Sequence, residues 1–251
     1  VSTPDYRVEL VSASSGFDGR TFWAQARAGV LPAEEGRAPV VILTAQPTLR
    51  SGSDVFYALS EWRTEDLGQT WDGPKEHADT LGRRSEPEDV TVAVCDMTPS
   101  WHAASGTLLS TGHTVRYRDD KHPITARNRE AAYAVYAPES RTWTPWATLD
   151  LPDHPGFRCA GAGSAQRFDL DDGTILLPIY YKEISEDWHA CNAATVVRCA
   201  FDGKQLTYLE HGTELTCPEP RGFCEPSITR FGDRFFLTLR NDVRGYVASS
   251  P

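Results

Sequence analysis

The residues with the most chemistry in them are three histidines, two neighbouring tyrosines and a scatter of arginines. His102 and His122 stand 20 residues apart with His113 between them, and Tyr180-Tyr181 lies between Arg167 and Arg198. Imidazole titrates near neutrality and a phenol can protonate an alkoxide-like oxygen, so a histidine and a tyrosine of this set could share acid–base work. Glu225 and Arg240, 15 residues apart, bracket an apolar hairpin. A guanidinium binds a carboxylate through a bidentate fork, and a glutamate beside it can hold the guanidinium in place or accept a proton. This inventory suits proton transfer on a substrate that carries a carboxylate. The competing readings are a Glu225–Arg240 ion pair that ties two strands, and histidines that serve as hydrogen-bonded loop residues.

The elements that must position these groups are strands. Val40–Thr44, Val55–Trp62, Val90–Cys95, Thr107–Thr111, Ala131–Tyr136, Ile175–Tyr181, Thr195–Cys199 and Phe235–Leu239 are short runs rich in β-branched and aromatic residues. Asp171-Asp172-Gly173-Thr174, Asp202-Gly203 and Gly232-Asp233 supply turn chemistry between runs. No segment keeps a helical period over three turns, and 66–84 reads as a polar loop. The 251 residues and a 40% hydrophobic content support a large all-β unit and exclude a disordered chain.

The clearest local motif is Thr64-Glu65-Asp66-Leu67-Gly68-Gln69-Thr70-Trp71. It resembles the Asp-box of sialidase-like β-propellers. Asp66 is placed to accept bonds from turn amides, Gly68 to take a positive φ, and Trp71 to plug between sheets. Weaker echoes are Pro138–Trp143, Ala200–Leu206 and the terminal Ser249-Ser250-Pro251; Trp71 and Trp143 lie 72 residues apart. The resemblance implies an all-β fold, a β-propeller of four-stranded antiparallel blades. About four blades are expected in residues 1–251 as one incomplete domain of a six- or seven-bladed ring, with further blades after Pro251. A complete β-sandwich is the alternative architecture.

The Glu225-Pro226-Ser227 segment, its hairpin and Arg240 are also similar to the sialidase superfamily. There the arginine belongs to a carboxylate-binding triad, and the glutamate polarises a nucleophilic tyrosine. The chain departs from that pattern at its start. It has no Phe/Tyr-Arg-Ile-Pro segment, only Arg37-Ala38-Pro39, and no aspartate stands out as the acid/base. The layout of His102, His122, Tyr181 and Arg198 is closer to the propeller polysaccharide lyases that cut ulvan. That likeness implies β-elimination at a uronic acid. Arg198 and His122 would neutralise the uronate, and His102 and Tyr181 would move the protons. His113 competes with His122 and Tyr180 with Tyr181, and Arg167, Glu225 and Arg240 join them as substrate-binding candidates. The alternatives are an exo-sialidase-type hydrolase and a glycan-binding propeller without catalysis.

Other classes are excluded by what the sequence lacks. A net charge of −10 is wrong for a general nucleic-acid binder. No apolar run approaches the roughly 20 residues of a membrane span. Gly161-Ala162-Gly163-Ser164 precedes a strand and is no nucleotide loop. The expected partner is an acidic polysaccharide or sialoglycan, met in a secreted or periplasmic setting. No cofactor is required for catalysis. Four of the six cysteines fall in 191–224 near His189 and His211, so a structural zinc, or calcium elsewhere, is open beside free buried thiols and disulfides.

Overall fold

The computed structural model describes residues 8–33, 35–51, 54–120, 128–184 and 190–251. His122 lies outside the described residues. The chain forms four antiparallel sheets arranged as the blades of a β-propeller.

Blade I comprises β1 (Thr21–Leu31), β2 (Val40–Leu49), β3 (Ser60–Thr64) and β4 (Asp72–Glu76), in that order. Blade II follows a one-turn helix, α1 (Ala78–Leu81), and contains β5 (Arg84–Glu86), β6 (Val90–His102), β7 (Thr107–Arg118), β8 (Ala131–Ala137), β9 (Thr142–Trp143) and β10 (Ala147–Thr148). Blade III holds β11 (Ala160–Gly161), β12 (Phe168–Asp169), β13 (Ile175–Tyr181), β14 (Ala193–Phe201) and β15 (Leu206–His211). Blade IV has three strands, β16 (Cys224–Phe231), β17 (Arg234–Arg240) and β18 (Gly245–Ser250). β1, the split pair β11/β12 and β16 lie at one end of their sheets, and in blade II β6 lies there with only the short β5 beyond it, paired to Val90–Val92; these are taken as the inner strands.

The apolar runs are explained by burial on both faces. In β8, Ala131, Tyr133 and Val135 enter a core shared with Ile175, Leu177 and Ile179 of blade III. The alternate residues Ala132, Ala134 and Tyr136 enter a second core with Leu31 and Ile42 of blade I. A period-two strand between two neighbours therefore reads as nearly continuous hydrophobic sequence. A third core joins Tyr180 and Ala194 to Ile228, Leu237 and Leu239 of blade IV. Each fully buried aliphatic side chain here contributes about 1.5–3 kcal/mol.

Two local expectations change. Residues 66–84 contain β4 and α1 as well as loop, because their polar side chains face outward on an edge strand. In the Thr64–Trp71 turn, Asp66 accepts from the Thr70 amide at 2.9 Å and from the Thr64 hydroxyl at 2.7 Å, and Gly68 has φ 88°. The Thr70 hydroxyl, which donates to Asp66 Oδ2 at 2.6 Å, leads these bonds in holding the Asp66 carboxyl down at about 2. Trp71 is only half-buried and donates to the Gly68 carbonyl of its own turn. The tryptophans between blades I and II are Trp143 and Trp146. Trp143, with Tyr136 and His77, donates to the buried carboxylate of Glu61 at 2.9–3.0 Å.

Candidate active site at the propeller axis

Three inner strands carry one extra residue each. Ala24 pairs with Gln46 but Arg27 with Thr44; Cys95 pairs with His113 but Thr98 with Thr111; Cys224 pairs with Arg240 but Ser227 with Thr238. Each bulge opens on a non-glycine residue in the left-handed region: Gln25 (φ 56°), Asp96 (φ 55°) and Glu225 (φ 48°). The break between β11 and β12 gives Ser164 the same conformation, φ 53°. Each costs about 1–2 kcal/mol in an L-residue, and such bulges re-aim side chains at sites. The four positions recur 71, 68 and 61 residues apart, one per blade. They meet at the axis: Ser164 donates its amide to the Asp96 carbonyl at 3.2 Å, and Gln25, Asp96 and Glu225 line one cavity of about 390 Å³.

Strands β7 and β13 add the proton-moving groups. His113 Nε2 lies 3.6 Å from Asp96 Oδ2, and the Tyr180 hydroxyl lies 3.5 Å from His113 Nδ1. The result is a line Asp96–His113–Tyr180 along the cavity wall. Gly161 and Gly163 make room for it. A Cβ at Gly163 would sit 2.0 Å from His113 Nδ1, and one at Gly161 2.6 Å from His113 Cβ. The Gly-Ala-Gly-Ser segment is thus a cradle for an imidazole. Arg129 stacks over the Tyr180 ring, its guanidinium carbon 3.9 Å from the centroid, and donates to Asn192 Oδ1 at 3.3 Å. Its Nε is buried without a hydrogen-bond partner, an open donor of the kind binding sites hold.

On the blade IV side, Arg240 donates to Glu225 across β16–β17 and reaches Asp242 at 3.5 Å. Arg221 also pairs with Asp242, at 3.2 Å. Four cationic side chains line the cavity (Arg129, Lys182, Arg221 and Arg240) against three carboxylates, Asp54, Asp96 and Glu225. In a chain of net charge −10, this lining carries one cation in excess.

Burial pushes the Asp96 carboxyl up to about 6. The charges of Glu225 and Asp54 push the same way, and the Ser164 hydroxyl and Arg27 oppose them. Burial also pushes the Tyr180 phenol well above its ordinary value, with Arg129 opposing.

Of the residues singled out in the sequence, His113, Tyr180, Glu225 and Arg240 come together here. Others do not. His102 lies six residues beyond Asp96 on β6, roughly 20 Å away at about 3.3 Å per residue. Its ring nitrogens contact Ser105 Oγ at 2.7 Å and the Gly173 carbonyl at 3.0 Å, and it packs on Phe201. Tyr181 follows Tyr180 on β13 and so points to the opposite face, where it packs on Phe157 and donates to Glu214 at 2.7 Å. Arg198 pairs with Asp172 and Glu210 and rims a separate groove of about 710 Å³ between blades III and IV. Arg167 is buried, holding the Leu109 and Ser100 carbonyls and Asp169. The His102–Tyr181–Arg198 constellation is therefore not assembled.

Sequence reading passed over Gln25, Arg27, Asp54, Asp96, Arg129 and Asn192. No residue type recurs at the four axial positions, so their spacing of 61–71 residues shows only once the bulges are located.

All six cysteines are free thiols, which removes the disulfide option. Among the described residues the one cluster of three metal-type donors is Cys95, Asp96 and His113, with ligand atoms within 4.8 Å of one another. It is not the 191–224 set. A closed zinc site takes four donors, and we read Asp96 and His113 as a proton-transfer pair.

No protein-family model matches the chain, and no curated protein matches it in sequence. Solved structures do. Trypanosoma rangeli sialidase in complex with sialic acid superposes with TM-score 0.57 at 13% identity, over 91% of this chain and 36% of that one. An exo-β-1,3-galactanase from Clostridium thermocellum gives 0.54 at 15%, over 89% and 45%. An ulvan lyase from a polysaccharide lyase family gives 0.51 at 10%, over 88% and 51%. The chain spans about a third to a half of the length of these proteins. No helix among the described residues is long and apolar enough to cross a membrane. At these identities, what the chain shares with the sialidase, the galactanase and the lyase is the β-propeller fold.

Proposed function

We propose that this chain is a carbohydrate-active β-propeller that cleaves an acidic glycan by β-elimination at a uronic acid, with its site at the axis. The observation that carries the reading is the Asp96–His113–Tyr180 line in a cavity that Arg129, Lys182, Arg221 and Arg240 also line. The residues differ from the set first singled out, but the chemistry is the same. The carbon next to a uronate carboxylate is a weak acid until that charge is neutralised. Arg240, half-exposed and oriented by Glu225, is placed to take the carboxylate in a fork. Arg129 supplies a second positive charge beside Tyr180.

His113 takes the phenolic proton of Tyr180, and Asp96 stabilises the imidazolium, as a triad aspartate does. The Tyr180 oxygen then removes the proton from the carbon next to the carboxylate. The electron pair forms the new carbon–carbon double bond, and the bond to the O4 substituent breaks. Tyr180 returns its proton to the leaving oxygen, and His113 restores the phenol. The gap of 3.5 Å between Tyr180 and His113 is at the outer edge of hydrogen-bond reach, a spacing ordinary in ligand-free sites. Acting on a polymer outside the cell would place the protein in a secreted or periplasmic setting.

The test is incubation of the chain with a panel of uronate polysaccharides, following the ultraviolet absorbance of the unsaturated product. Absorbance that appears with the wild type and is lost in Tyr180→Phe supports the reading. Release of free sialic acid from a sialoglycan without unsaturated product would replace it with the hydrolase reading, for which the Glu225–Arg240 pair across β16–β17 speaks. Binding without either product would leave a glycan-binding propeller.

A further inference from the structure

Arg27 belongs to neither reading so far, and its placement is unusual. It follows the blade I bulge, and its guanidinium crosses the axis instead of lying along its own blade. Nη2 donates to Gln25 Oε1 at 3.2 Å and to Ser164 Oγ at 3.1 Å, a contact between residues 137 apart in sequence. Nη1 donates to the Ala26 carbonyl at 3.0 Å. Ser164 in turn binds the Asp96 backbone. Gln25 and Asp96 line the cavity; Arg27 is not among its lining residues and spends its hydrogen bonds on Gln25, Ser164 and its own backbone. It is therefore built to act on the wall and not on a ligand.

We infer that Arg27 is a positioning residue which locks the ring of bulged residues across the axis and holds a fixed positive charge on the Asp96 side of it. The inference rests on Asp96 being a proton-handling group of the proposed site. The groups facing Asp96 are His113 from β7, Tyr180 from β13, Glu225 from β16, Asp54 from the loop after β2, and Ser164 between β11 and β12. Two of these are carboxylates that disfavour a third negative charge. Arg27 is the cation that opposes them. A guanidinium keeps its charge under all working conditions, so it is a fixed offset and not a second titrating group.

The experiment is carboxyl-carbon NMR titration of the full chain, with the Asp96 resonance assigned by its disappearance in Asp96→Asn. Wild type, Arg27→Gln and Arg27→Lys are compared. In R27Q the Asp96 midpoint should rise by about half a pH unit or more, because the opposing charge is gone. In R27K, which keeps the charge but not the fork, it should rise less. Where product formation is measurable, the acidic limb of the pH–rate profile should move by the same amount. An Asp96 midpoint that stays at the wild-type value in folded R27Q overturns the inference. Should R27Q fail to fold, Arg27→Met, which keeps an unbranched stem without the charge, decides by the same measure. The titration needs no turnover, so a chain inactive on every glycan still tests Arg27, and a lyase with an unmoved Asp96 midpoint refutes it.

Discussion

Replacing Asp96 by asparagine should make the protein more stable while removing the proposed activity. The native carboxyl titrates at about 6 against an ordinary value of 3.8. Its side chain is 13% exposed, so solvent screens the penalty little. A raised carboxyl pKa means that the folded chain holds the proton more tightly than the unfolded chain does. Stability linked to this group is therefore lost as pH rises from 3.8 to about 6, and the full penalty applies above that. The gap, at about 1.4 kcal/mol per pH unit, comes to about 3 kcal/mol. Asparagine has the same shape, carries no charge, and tolerates the left-handed φ of 55° as readily as aspartate. For a chain of this size, 1 kcal/mol moves the melting temperature by about 2–4 °C. The expected gain in D96N at pH 8 is up to about 10 °C, shrinking to under about 3 °C at pH 4. Thermal melts of both proteins at pH 4, 6 and 8 read it directly. A variant no more stable than wild type at pH 8, or equally stabilised at pH 4 and pH 8, would refute the buried-charge argument.

Tyr180→Phe keeps the ring against Arg129 and removes the hydroxyl. Turnover should fall by about 10²–10⁴-fold with little change in the melting temperature, and steady-state kinetics check both. Gly163→Ala drives a methyl group into His113, so the imidazole must shift. A loss of about 100-fold in kcat, with a stability cost of about 1–3 kcal/mol in urea unfolding, is expected. Glu225→Gln weakens the hold on Arg240 and should raise KM for a uronate substrate several-fold more than it lowers kcat, measured by initial rates. Away from the site, Glu61→Leu strands the donors of His77, Tyr136 and Trp143 between blades I and II. It should cost about 3–5 kcal/mol by chemical denaturation.

What the sequence made legible follows from what each signal encodes. The strands of blades II and III announced themselves because β8 and β13 are buried on both faces, so 131–136 and 175–181 are apolar without interruption. The Thr64–Trp71 turn was legible because its hydrogen bonds are local. Val55–Leu59 was apolar for another reason. Val55 and Phe56 are buried under blade II without regular pairing, so the strand begins only at Ser60. The site was harder, because its members are set by bulges and strand parity. Tyr180 and Tyr181 are identical in composition and adjacent, yet one enters the cavity and the other the core between blades II and III. Parity changes at each bulge, and no residue type at Gln25, Asp96 or Glu225 marks one. Glycine, the usual signpost of positive φ, is missing at all three.

That missing glycine bears on mechanism. A left-handed glutamine, aspartate or glutamate costs stability that glycine would not, and at Asp96 the charge adds to the cost. Were the bulges only a way to bend the inner strands, glycine would do it more cheaply and leave the axis open. The side chains present instead enter the site: Gln25 is tied through Arg27 to Ser164, Ser164 to the Asp96 backbone, and Glu225 holds Arg240. The same logic separates the site from the strand-end residues that the spacing pattern favoured. His102 sits at a strand end with both ring nitrogens used by the fold, and Arg167 satisfies carbonyls of its neighbours. Their polar groups lower the energy of the native state, whereas those at the axis raise it. Groups held at an energetic loss, within reach of one another and open to a cavity of about 390 Å³, are where this fold departs from what stability alone would select.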